Sequence, residues 1–97
     1  MKAILITYNQ ALIERVELIL NDLRIRGFTR WNDVQGRGTN RGEPHMGTHT
    51  WPALNSATFT VVENAQVEEL LNKIEELNKN ASQQGVRAFV WSVEKTV

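Results

Sequence analysis

The residues with chemistry to offer concentrate in one stretch of the chain. Residues 36 to 54 hold four of its six glycines (Gly36, Gly38, Gly42, Gly47), both prolines and both histidines. Glu43, His45 and His49 lie within seven residues of each other, and imidazole and carboxylate are ligands for zinc, copper or nickel. Gly36, Arg37 and Gly38 offer something different. Glycines carry no side chain to hold a ligand off, so backbone N–H groups can approach an anion closely. Five of the seven arginines (Arg24, Arg26, Arg30, Arg37, Arg41) fall within eighteen residues where the only acid is Asp33. Guanidinium groups in that density suit phosphate or carboxylate. The plain alternative is a solvated basic face, matched by an acidic one at Glu63, Glu68, Glu69, Glu75 and Glu76. Arg41 and Trp51 place a cation and a large aromatic in an otherwise polar loop, a pairing suited to partner contact. Trp51 equally suits anchoring that loop on the body.

Other chemistry is absent. There is no cysteine, which excludes a disulfide framework, a thiolate metal site and a cysteine nucleophile together. No serine occupies a nucleophile elbow, and no histidine has a carboxylate outside the loop to orient it. Paired carboxylates occur only as helix neighbours, Glu68-Glu69 and Glu75-Glu76. A non-enzymatic role is expected. Formal net charge is zero, so no global field draws the chain to nucleic acid or anionic lipid. The apolar run Ala3 to Ile6 is far too short for a signal peptide's apolar region or a membrane span. A cytoplasmic protein not embedded in a membrane is the expectation.

The elements that must position these residues can be read in order. Ninety-seven residues with 41% hydrophobic content suit a single domain, residues 1–97, with a modest core. Lys2 to Tyr8 is a short β-branched run and a predicted strand. Asn9 caps a predicted helix whose apolar positions are Leu12, Val16, Ile19, Leu20 and Leu23, ending near Gly27. Phe28 to Gln35 reads as a second strand. Periodicity then fails until Ala57 to Val62, a third strand. A loop of that length inside a compact domain is usually functional. Asn64 caps a predicted second helix with Val67, Leu70, Leu71, Ile74 and Leu77 in one stripe, and Val86 to Val93 is the last strand.

The order βαββαβ predicts an α+β, ferredoxin-like fold: a four-stranded antiparallel sheet with two helices on one face and a long loop between strands 2 and 3. The other face is the informative one. Strand 1 sets Ile4 and Ile6 on one side and Leu5 on the other, and strand 4 sets Ala88 and Val90 against Phe89, Trp91 and Val93. Both faces carry apolar residues, so the second is expected to be buried by further copies of the chain.

These residues also resemble a known family. Asp33-Val-Gln-Gly-Arg-Gly-Thr-Asn-Arg-Gly42 is similar to the acidic-Val-Lys-Gly-Phe-Gly-Arg-Gln-Lys-Gly signature of PII signalling proteins, with the three glycines in matching places. Arg26-Gly-Phe-Thr29 and Val67-Glu-Glu-Leu70 extend the likeness over nearly the whole chain. The resemblance implies a homotrimer with sheets facing inward, ligand clefts between subunits, and a flexible T-loop, here about residues 37–54, that docks onto a transporter or enzyme. By position, Gly36, Arg37 and Gly38 would hold the phosphates of an adenine nucleotide or another small anion. The family's second phosphate-binding loop is replaced by Ala81-Ser-Gln-Gln-Gly-Val-Arg87, which has no lysine, leaving Arg87 as its one cation. The reading is a divergent PII-like regulator. The alternative is a divalent-metal-binding trimer of the divalent-cation-tolerance type, using Glu43, His45 and His49. RNA-recognition domains share the topology, but the third strand carries Phe59 as its only aromatic, and no nucleic-acid binding is expected.

Overall fold

The computed structural model describes residues 1–37, 46–47, 54–81 and 85–97. Strands β1 (Lys2–Asn9), β2 (Thr29–Val34), β3 (Asn55–Val62) and β4 (Val86–Ser92) form one sheet in the order β2-β3-β1-β4. Every neighbouring pair is antiparallel. A 3-10 turn (Gln10–Leu12) leads into helix α1 (Ile13–Asp22), and helix α2 (Asn64–Asn80) joins β3 to β4. This is the expected βαββαβ fold.

Local chemistry sets the boundaries. The Asn9 side chain accepts a bond from the Ala11 N–H at 2.9 Å and so caps the 3-10 turn. Helix α1 ends earlier than Gly27 suggested. Its left-handed terminal residue is Arg24, at φ 61, with Arg24 N–H donating to the Asn21 carbonyl and Ile25 N–H to the Leu20 carbonyl. That 5→2 and 6→1 pair is a Schellman closure, and the buried Ile25 supplies its apolar contact. Helix α2 is capped by Glu63 rather than Asn64, because Gln66 reaches back to the Glu63 N–H at 3.1 Å in a capping box.

Both helices cover one face of the sheet. Ile4, Ile6 and Tyr8 of β1 pack with Leu12, Val16 and Leu20 below α1 and with Leu70, Ile74 and Leu77 of α2. The third strand runs against the ordinary rule. Its polar residues Ser56, Thr58 and Thr60 point at the helices and are fully buried, while Ala57, Phe59 and Val61 point away. Each buried hydroxyl has a partner. Thr58 shares a 2.7 Å bond with the Tyr8 hydroxyl, Thr60 donates to the Gly27 carbonyl at 2.6 Å, and Ser56 donates to Asn32 at 3.4 Å. The Thr60 bond ties the α1–β2 connection to the sheet.

Two outcomes follow. Tyr8→Phe leaves the Thr58 hydroxyl without its partner inside the core and is expected to cost about 1–2 kcal/mol in chemical denaturation. Arg24→Gly relieves a left-handed residue on an exposed corner and is expected to stabilise by up to about 1 kcal/mol in the same measurement.

Candidate functional site

The root of the long loop begins with a distortion in β2. Trp31 opposes Ala57 and Val34 opposes Asn55, so three steps of β2 match two of β3. Asp33 takes up the extra residue at φ 57, making a β-bulge. A one-residue slip reverses the faces of a strand. The bulge therefore returns Val34, and Gly36 two residues on, to the side that carries Trp31 and Asn55. The acid that opens the glycine signature is thus the residue that re-aims the strand leading into it.

Gly36 is closely packed rather than conformationally strained. Its φ is one that any residue adopts, unlike Gly47 and Gly85. A Cβ at Gly36 would lie 2.6 Å from Nδ2 of Asn55, the first residue of β3. Two further contacts gather the loop root. Gln35 Nε2 donates to the Met46 carbonyl at 2.8 Å, and Leu54 packs so closely on Gly47 that a Cβ there would lie 2.6 Å from Leu54 Cδ2. Gly47 also holds φ 67, so both shape and conformation require glycine. Leu54 accepts the Gln10 N–H at 3.0 Å, and Gly85 accepts the Asn9 N–H at 3.3 Å. One end of the sheet therefore collects Gly36, Arg37, Leu54, Asn55, the start of α1 and the entry to β4.

Arg87 stands at that same end, on β4, opposite Thr7 in the register. It is exposed and stacks over Phe89 with its guanidinium carbon 5.7 Å from the ring centre. Within one chain it does not meet Gly36 and Arg37. They occupy opposite edges of the sheet, three strand spacings or roughly 14 Å apart. Arg30, from the same basic cluster, is committed elsewhere, paired with Glu17 of α1 and packed over Phe28. Gly38, Arg41, Glu43, His45, His49 and Trp51 lie outside the described residues. Among the described residues, no group of three or more histidines and carboxylates stands ready for a metal.

The second notable surface is the sheet face away from the helices. Leu5 is flanked there by Phe59 and Phe89, and Ala3 by Val61 and Trp91. Phe59 and Trp91 form a tilted pair with centroids 6.0 Å apart. Trp31 is 50% exposed, Phe89 and Trp91 47% each, and Val61 41%. Leaving a large aromatic half wet forgoes on the order of 2 kcal/mol of burial. Arg87 projects from this face at the end near Thr7, while Glu94 and Lys95 border it at the other end, beside Ala3, Val61 and Trp91.

Gln35, Met46, Leu54 and Asn55 were not recognisable in the sequence as parts of the site. Their role depends on a bulge and a loop return that leave no periodic trace. Gly47 was the one available signal.

Comparison with known proteins agrees with this architecture. The family model described as nitrogen regulatory protein P-II matches residues 1–97. No curated protein matches the chain by sequence. Among solved structures, CPII from Thiomonas intermedia K12 bound to ADP and bicarbonate superposes with a TM-score of 0.74 at 18% identity, covering 93% of this chain and 82% of that one. The same protein, described as nitrogen regulatory PII-like and bound to ADP, AMP and bicarbonate, gives 0.75 at 17% identity with the same coverage. A PII-like signalling protein from Thermus thermophilus gives 0.65 at 22% identity, covering 93% of this chain and 83% of that one. At these identities the likeness is one of fold.

The Gly47–Leu54 contact makes a local prediction. Gly47→Ala must displace Leu54 and so loosen the bond from the Gln10 N–H to the Leu54 carbonyl. The Gln10 amide is expected to exchange at least about threefold faster with deuterium, with Leu5 at the sheet centre unchanged. Equal rates at Gln10 would show that the loop return is not coupled to the sheet.

Proposed function

The chain belongs to the nitrogen regulatory protein P-II family, and from that premise we propose that it is a signalling homotrimer that senses a small anionic effector and passes the signal to a protein partner. The carrying observation is the uncovered sheet face. Trp31, Val61, Phe89 and Trp91 are turned to it, while the hydroxyls of β3 are turned to the core. A strand that buries its threonines and presents its phenylalanine makes sense only if the second face is also meant to be dry. Closed cyclic assembly of identical copies covers that face without leaving a fresh one.

Assembly also gives the effector a place. Gly36 and Arg37 sit at the β2 edge and Arg87 at the β4 edge, so a cleft between two copies is the arrangement that joins them. Arg87 favours an anion there. Covering its face removes water from a guanidinium that forms no ion pair with an acid among the described residues, and an anionic ligand supplies the missing charge. An adenine nucleotide is the effector class supported by CPII, which has been solved with ADP and bicarbonate. Gly36, Arg37 and Gly38 would meet phosphate oxygens through backbone N–H groups, with Arg87 of a neighbouring copy adding a cation. Residues 37–54, including Arg41 and Trp51, are the partner-contact segment in this reading. The target is an enzyme or transporter, met in the cytoplasm, and the protein itself carries out no reaction.

Light scattering on the purified protein tests the assembly. The expected mass is three times the 11.1 kDa of one chain. Trp91→Glu places a carboxylate in the covered face, at a cost of several kcal/mol per copy, and is expected to yield smaller species. A wild-type protein that runs as a single chain at micromolar concentration would end this reading.

A further inference from the structure

We propose that Asn55 is a positioning residue for the effector site: its side-chain amide packs on the bare Cα of Gly36 and holds the Gly36–Arg37 backbone in the orientation that meets an anion. The inference rests on the reading of that strand end as the effector contact.

Three observations converge on Asn55. First, the space that a side chain at Gly36 would fill is occupied by the Asn55 amide, 2.6 Å from the would-be Cβ. Second, the Gly36 backbone is in an ordinary conformation, so nothing but that amide calls for glycine at this position. Third, Asn55 opens β3 directly opposite Val34, past the bulge at Asp33. The bulge leaves Asn32 and Asp33 without register partners; pairing resumes at Val34 opposite Asn55, and Gly36 beyond it makes only an isolated bridge. A backbone meant to present N–H groups to a ligand gains from being held before the ligand arrives, because less ordering is then needed on binding. Asn55 is short, has two rotatable bonds and is seated on the central part of the sheet through β3, next to β1. It suits that task better than the long arginine side chains nearby.

A double-mutant cycle tests this, with ADP as the probe, calorimetry as the affinity readout, and thermal unfolding to establish that each variant is folded. Gly36→Ala pushes the Asn55 amide away, and Asn55→Ala removes it. Each is expected to weaken ADP binding about three- to tenfold, the worth of one ordinary hydrogen bond or close polar contact. The double variant is expected to bind no more weakly than the worse single variant, because both changes break the same contact. Losses that simply multiply would overturn the proposal. A second readout needs no ligand. In the free protein, Asn55→Ala should speed deuterium exchange at the Gly36 and Arg37 amides, leaving Leu5 and Phe59 unchanged. Unchanged exchange at residues 36 and 37 also overturns it. If wild-type protein takes up no ADP, the nucleotide reading fails, and amide exchange alone decides the role of Asn55.

Discussion

The architecture depends on a single β-layer that is apolar on both sides. Two helices cover one side, and β3 commits its hydroxyl-bearing residues to that side. Its hydroxyls Ser56, Thr58 and Thr60 go to the helix side, each with its own partner, and its apolar residues go to the far side. A hydroxyl buried with a partner contributes modestly, whereas one buried alone costs heavily. The core accepts three of them because Tyr8, Gly27 and Asn32 are in place, and no buried side-chain polar atom among the described residues lacks a partner. Reversing the strand would put Phe59 against the helices but would also turn those hydroxyls onto the apolar face.

The same register controls the loop root. A bulge at Asp33 sends Gly36 back to the face that carries Asn55, and the long segment begins from a strand end whose direction has been adjusted by one residue. Gln35 and Leu54 then meet Met46 and Gly47, so the middle of the segment touches both of its ends. Among the described residues, the contacts at the root include one side-chain bond, two close approaches to glycine and the backbone bond from the Gln10 N–H to the Leu54 carbonyl. Changes at Gly36 and changes in the loop are therefore mechanically near one another.

Charge distribution separates the two surfaces. The arginine-rich stretch divides its duties: Arg24 closes a helix, Arg30 pairs with Glu17, and Arg37 remains beside Gly36. Arg87 stands apart on the aromatic face. Its guanidinium lies over the Phe89 ring, opposite Thr7 of β1 in the register.

Much of this was legible in the sequence because it follows from periodicity. Alternation of apolar residues marked four strands, a 3.6-residue stripe marked two helices, and their order left one fold. The apolar character of both sheet faces could be read from Leu5, Phe89 and Trp91, and the glycine signature from residues 33–42. Other features were decided by tertiary structure alone. Periodicity does not say which side of β3 faces the helices, because Thr58 and Phe59 alternate equally well either way. Pairing with β1, which sets Tyr8 beside Thr58 on the helix side, makes that choice. Nor does it reveal that Arg24 rather than Gly27 closes α1, that Asp33 bulges, or that Gly36 is small for the sake of Asn55. The bulge and the Gly36–Asn55 contact join residues distant in sequence, and the Arg24 closure goes with the burial of Ile25 in the core, so only the packed structure decides them.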